Sequence, residues 1–209
     1  MPVKKLNLIA LYFLVLQATF VNAQETLESV MLRMKPESFS KIHYQETRYL
    51  ELLDKPWSGS GYFYSMPDGM IKEQWYPQRE IMAARGDQLY YFDPFADVRY
   101  QAGIEGDIGP QAVAFKGLIS GDLLLVQKFF QTNFKTDAKT WIITLMASDP
   151  DLSEQLEKIV ISGLLAKPAD KIEVVLSDGD RHVMQLKQED EGQHLQAKIK
   201  QLFEDLQGR

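Results

Sequence analysis

The sequence predicts an α+β protein built on antiparallel strands, and three observations carry that reading. Between residues 39 and 92, five strand-like segments follow one another, separated by Pro67-Asp68-Gly69, Pro77-Gln78 and Arg85-Gly86-Asp87. Short strands at such spacing, joined by hairpin-type turns, form a meander. A second group of alternating segments lies at 141–146, 158–162, 171–176 and 181–187, with Ser177-Asp178-Gly179-Asp180 as a tight hairpin turn before the last. Helical patterns frame and divide the two groups: 26–35, an apolar middle, and a tail at 193–206. The 209 residues suit one domain of ordinary size, expected over 24–209 with its C-terminal helix near 193–207.

The first 23 residues read as a targeting segment. Lys4 and Lys5 precede an unbroken apolar run from Leu8 to Leu16, and Val21-Asn22-Ala23 places small residues at −3 and −1 of a cleavage site. That is the layout of a secretory signal peptide. The competing reading, a membrane anchor, needs a longer span, and Gln17 and Asn22 interrupt it. Cleavage takes the net charge from −6 to −8 by removing Lys4 and Lys5. In a Gram-negative host the mature protein is expected in the periplasm.

Each later element has its own signature. Leu27, Val30, Met31 and Met34 share one face of a short helix, which Pro36 stops. Residues 39–53 suit a long strand. The segment 57–66 follows, with Tyr62, Tyr64 and Met66 on one side and Gly59, Gly61 and Phe63 on the other. Segments 70–76, 80–84 and 88–92 complete the meander, and 98–101 adds one more strand. Gly103, Gly106 and Gly109 lead to Pro110, which suits a first helical turn. Helical patterns at 112–119 and 123–131 are unusually apolar: Val113, Phe115, Leu118 and Ile119, then Leu123 to Val126, Phe129 and Phe130. A helix that is apolar all round is either core or the inner face of a lid. In the tail, Leu195, Ile199, Leu202 and Leu206 form one stripe, expected to pack on the protein's own sheet.

Catalytic chemistry has little to work with. Cysteine is absent, which excludes disulfides, thiolate zinc sites and cysteine nucleophiles. His43, His182 and His194 show no metal-ligand spacing. No nucleophile elbow and no phosphate loop appears. Three or more further oxygen ligands would be needed to make the Asp178–Asp180 turn a calcium loop. A pair of carboxylates among the 29 acidic residues remains open as an enzyme reading. An acidic chain lacks the basic face that nucleic acid requires. No cofactor or metal is expected. What the strands do carry is aromatic surface, including Trp75, Tyr76 and the consecutive Tyr90, Tyr91 and Phe92, which occupy both faces of their strand. A curved sheet with an apolar pocket is the functional reading.

The order of elements resembles the periplasmic lipoprotein-carrier family, LolA-like proteins with their LolB and lipoprotein-sorting relatives. The stretches that carry the likeness are Phe39-Ser40-Lys41-Ile42-His43-Tyr44-Gln45-Glu46, the strand Gly59 to Pro67, and Gly86-Asp87-Gln88-Leu89-Tyr90-Tyr91-Phe92-Asp93-Pro94. The resemblance spans Leu27 to about Leu186. It implies an incomplete, strongly curved antiparallel β-barrel, a half-barrel, covered by a helical lid over an apolar cavity. It implies a monomeric, non-catalytic carrier of acylated cargo, lipoprotein or lipid, moved from an inner-membrane donor complex toward an outer-membrane acceptor. In the family a basic residue precedes the proline of the second strand and latches the lid. Met66 stands there instead, with Lys72 and Arg85 as candidate substitutes. The chain looks more like a divergent branch, whose cargo can be another acylated molecule.

Under this reading Tyr62, Tyr64, Met66, Met70, Trp75 and Tyr91 line the sheet side of the cavity. Val113, Phe115, Leu118, Ile119, Leu123 and Phe130 line its lid side. The alternative function is a lipid- or lipoprotein-sensing module of the same fold that signals to a membrane protein partner.

Overall fold

A computed structural model describes residues 25–103, 117, 121–148 and 153–208. The expected signal peptide, the glycine-rich loop and the helix at 112–119 lie outside the described residues, apart from Gly103 and Gly117.

Helix α1 (Leu27–Met34) begins where Thr26 can cap it. The Thr26 hydroxyl accepts from the Ser29 amide at 3.2 Å, and the Ser29 hydroxyl accepts from the Thr26 amide at 3.0 Å. This reciprocal capping box contributes about 1 kcal/mol. The helix buries Val30 and Met31 on one side.

Six strands follow: β1 (Ser40–Tyr49), β2 (Trp57–Met66), β3 (Gly69–Tyr76), β4 (Glu80–Arg85), β5 (Gln88–Asp93) and β6 (Val98–Gly103). Helix α2 (Leu123–Phe129) leads into β7 (Phe130–Thr136), β8 (Thr140–Ala147), β9 (Leu156–Leu164), β10 (Lys171–Leu176) and β11 (Arg181–Glu191). A 3-10 turn at Gln193–Leu195 starts the C-terminal helix α3 (Gln196–Gln207), which ends on Gly208 in the left-handed region at φ 69°.

All eleven strands form one antiparallel sheet in the order β6-β5-β4-β3-β2-β1-β11-β10-β9-β8-β7. Two meanders are therefore fused where β1 pairs with β11, from Ser40–Glu191 to Tyr49–Arg181. The sheet is open, with β6 and β7 as its edges. This is the curved, unclosed antiparallel architecture the sequence predicts.

Because side chains alternate along a strand, each strand feeds two faces. On the first face Tyr44, Phe63, Met70, Ile143, Leu145, Ile161, Ile172 and Met184 pack with Val30 and Met31 of α1 and Val126 of α2. On the second face Tyr64, Met66, Ile71, Ile81, Ala83 and Phe92 pack with Leu195, Ile199, Leu202, Phe203 and Leu206. Adjacent Phe63 and Tyr64 are both 3% exposed, so the centre of β2 is covered on both sides. The C-terminal stripe packs on its own sheet, as expected, at about 2 kcal/mol per buried side chain.

Two glycines are required by close approach. A Cβ at Gly61 would overlap the Glu73 carbonyl oxygen of β3, and one at Gly163 would lie 2.8 Å from Trp141 Cζ2. Trp141 is fully buried and donates its indole N–H to the Lys167 carbonyl at 3.1 Å.

One strand departs from the sequence reading. The apolar run from 123 was expected to stay helical to residue 131, but the chain becomes extended at Phe130, φ −134°, and continues as β7. Phe130, Thr132, Phe134 and Thr136 alternate there, and the strand pairs with β8 from Phe130–Ala147 to Thr136–Trp141.

The N-terminus of α1 is tied down by Glu25. Its carboxylate pairs with Arg33, accepts from the Ser29 hydroxyl at 2.6 Å and from the Ala166 amide at 2.9 Å. These hydrogen bonds, Arg33 first, hold its pKa at about 2, against an ordinary 4.5. A depressed pKa contributes stability that is full above the unfolded value and is lost as pH falls through the folded one. We expect α1 to stay docked above pH 4.5 and to loosen as pH falls toward 2, read by faster amide exchange at Val30 and Met31, and Glu25→Gln to remove that pH dependence.

Candidate functional site

Three features mark the described surface: a cavity on the first face, a polar cluster beside it, and an ionic clasp on the second face.

The cavity measures about 370 Å³ and opens between the end of α1 and the middle of the sheet. Its floor is Ile42 of β1, Leu186 of β11, Ile172 of β10 and Ile161 of β9. Cross-strand register aligns these residues on one face, with Ile172 opposite Ile161. Leu32, Met34, Pro36, Pro168 and Ala169 form the walls, while Arg33, Lys35, Glu37, Gln188 and Glu191 sit at the rim. An apolar floor with a polar rim suits the sequestration of an apolar ligand segment.

Further along the same face lies a group of ionic side chains. Glu46 pairs through Oε1 with Arg48 Nε at 2.7 Å and through Oε2 with Lys72 Nζ at 2.9 Å. His182 Nδ1 stands 4.0 Å from Glu46 Oε1. Burial pushes the Glu46 carboxyl upward, but Arg48 and Lys72 outweigh it and hold it below its ordinary value. Burial, with Arg48 beside it, lowers the pKa of His182. Tyr44 is fully buried and its hydroxyl has no hydrogen-bond partner among the described residues; a buried hydroxyl left unpaired costs about 1–3 kcal/mol. Burial, followed by the charge of Glu46, raises the Tyr44 phenol above its usual range.

On the second face Glu73 is fully buried. Arg79 donates to its Oε1 through Nε at 3.2 Å and Nη2 at 2.9 Å, and to Asp205 Oδ2 of α3 at 3.1 Å. Lys198 of α3 stands 3.6 Å from Glu73, and the Tyr64 hydroxyl donates to it at 3.4 Å. This network fastens α3 to β3.

The residues expected to line one cavity are divided by the sheet. Tyr64 and Met66 are buried under α3 on the second face, with Tyr62 packed at their side. Trp75 stands edge-on to Tyr62 at 6.2 Å and is 58% exposed. Met70, Leu123 and Phe130 belong to the first-face core, and Tyr91 shares that face through its pairing with Met82 and, beyond it, Lys72. None of these lines the 370 Å³ cavity. Val113, Phe115, Leu118 and Ile119 lie outside the described residues. The physical reason for the division is that the middle of β2 and the start of β3 are buried on both faces, so alternate residues serve α3 and the interior. Of the two candidate latch residues, Lys72 is on the first face, whereas Arg85 is an exposed partner of Asp68 at 2.7 Å.

The cavity floor was not singled out from sequence. Its signal is the run of branched apolar residues at every second position, Ile159 and Ile161, Ile172 and Val174, which register brings into line. Among the described residues no group of three His, Asp or Glu is placed to hold a metal ion, and no helix is long and apolar enough to cross a membrane.

No family model matches the sequence, and no curated protein matches it significantly. Solved structures do match. A LolA superfamily protein from Nitrosomonas europaea has a TM-score of 0.42 at 11% identity, over 81% of this chain and 94% of that one. A DUF1329 family protein from Desulfovibrio piger has a TM-score of 0.45 at 8% identity, over 77% and 88%. A chain from the complex of the CwlD amidase with the GerS lipoprotein, from Clostridioides difficile, has a TM-score of 0.37 at 14% identity, over 66% and 78%.

Proposed function

We propose that the protein is a non-catalytic periplasmic carrier that binds the acyl chain of a lipoprotein or another lipid in the first-face cavity and moves it toward the outer membrane. The observation that carries this reading is the cavity itself, an apolar floor of Ile42, Ile161, Ile172 and Leu186 under the end of a short helix. An acyl chain entering it is stabilised by about 0.8 kcal/mol for each methylene removed from water. Release requires that the cover move, and α1 is a short cover of eight residues, tied at its start by Glu25 and packed on the sheet through Val30 and Met31.

The test has two stages. Protein purified from its host without detergent is extracted into organic solvent and analysed by mass spectrometry. A co-purifying acylated molecule is the expected result. The protein is then mixed with donor and acceptor vesicles carrying a fluorescent lipopeptide. A carrier accelerates transfer between them. An acylated extract with no acceleration of transfer identifies a sensing module instead, and an empty extract with no transfer overturns both.

A further inference from the structure

Side chains from three strands crowd into one part of the first face with more hydrogen-bond donors than acceptors. Arg48 and Glu46 come from β1, Lys72 from β3 and His182 from β11. Register explains the grouping: Arg48 lies opposite His182, and Glu46 lies opposite Gly59, whose missing side chain makes room for the Trp57 indole. The Glu46 carboxylate is consumed. Its side chain is 2% exposed and each oxygen already meets a cation.

The donors are not consumed. Among the described residues, Arg48 bonds only Glu46 through Nε, and Lys72 bonds only Glu46. The side chains of Arg48, His182 and Lys72 remain 33%, 21% and 18% exposed. Tyr44 adds a fully buried hydroxyl with no partner among the described residues, and its ring lies 4.9 Å from Lys72 Nζ. Arg48 stacks on Trp57 at 4.2 Å, which fixes the plane of the guanidinium. Glu80 and Asp180 carry the nearby negative charge that acts on Tyr44 and His182, yet among the described residues neither is within ion-pair distance of Arg48, Lys72 or His182. Asp180 is engaged with the Glu51 amide at 2.8 Å.

We propose that Lys72, Arg48, Tyr44 and His182 form a binding site for the anionic head group, phosphate or carboxylate, of an amphiphile whose chain lies in the neighbouring cavity. The site sits on the same face as the cavity floor. Ile42 and Glu46 are four residues apart on β1, about 14 Å. Charge-assisted donors held in place by a sealed carboxylate select an anion over a neutral group. The anion adds negative charge beside His182, which already faces Arg48, Glu46, Asp180 and Lys72. Binding therefore favours the protonated ring and raises its pKa from its lowered value.

The site rests on the carrier reading for its chain and not for its anion, and calorimetry separates the two. The probes are decyl phosphate below its micelle concentration, decanol and inorganic phosphate. Decyl phosphate binds the wild type at least about tenfold more tightly than decanol, the effect of one charge-assisted hydrogen bond. Lys72→Met removes that preference and leaves decanol affinity unchanged. Titration of decyl phosphate shifts the His182 ring resonances in wild-type protein, a readout that needs no variant. Equal binding of decyl phosphate and decanol, with His182 unmoved, overturns the anion site and leaves the carrier reading intact. Binding of inorganic phosphate as tight as decyl phosphate, with none of decanol, overturns the amphiphile and the carrier reading together.

Discussion

Arg79→Met lowers stability by about 3 kcal/mol, and adding Glu73→Gln to the same chain restores all but about 1 kcal/mol of it. Among the described residues, the first change leaves a fully buried carboxylate on β3 with only Lys198, 3.6 Å away, and the Tyr64 hydroxyl for company. A buried charge stripped of its main partner is costly, while a neutral amide in the same place is not. Arg79 is 40% exposed at its side chain, so its own transfer to water is cheap and the loss falls on Glu73. Urea denaturation midpoints of the two single variants and the double variant measure the coupling. A double variant as unstable as Arg79→Met would show that Arg79 acts by packing. Because Arg79 also holds Asp205, the same variant removes one tie between α3 and the second face, and faster amide exchange is expected at Leu202 and Leu206.

That clasp joins elements whose local signals were legible in sequence. The turns at Pro67-Asp68-Gly69 and Arg85-Gly86-Asp87 separate the strands expected of them, and the apolar stripe of the tail forms α3. The passage from α2 to β7 was not legible, because Phe129 and Phe130 continue an apolar run across the boundary, and periodicity cannot separate a buried helix from a buried strand over so few residues. Consecutive aromatics at Tyr90, Tyr91 and Phe92 do report a strand with contacts on both sides. Tyr90 meets Phe203 of α3 edge-on at 6.1 Å, and Tyr91 faces the other way.

The site was harder to read than the fold, for a reason of register. A strand's alternation defines its two faces but not which one meets the interior, and a slip of one residue exchanges them. Phe63 and Tyr64 are equally buried, so hydrophobicity does not distinguish the faces. The deciding contact is long-range: β1 pairs with β11, which brings Leu186 and Ile172 beside Ile42 and makes the cavity floor out of segments more than a hundred residues apart. The ionic cluster has the same origin, since His182 reaches Glu46 only through that pairing.

Filling the cavity provides the sharpest test of which face holds the ligand. Ala169 lies on the cavity wall and is only partly buried, so Ala169→Trp places an indole in open space with little strain. Displacing about four methylenes of a bound chain costs about 3 kcal/mol, about a hundredfold in affinity. Binding of dansyl-labelled undecanoic acid, followed by fluorescence, should fall by that factor while the melting temperature holds. Trp75→Ala is the matched control on the opposite face. Trp75 is 58% exposed and touches Tyr62 there, so its removal should leave probe affinity unchanged. The reverse outcome, affinity lost with Trp75→Ala and kept with Ala169→Trp, would move the ligand to the aromatic surface beside α3. In that case the floor of Ile42, Ile161, Ile172 and Leu186 would be ordinary core exposed at the end of a short helix.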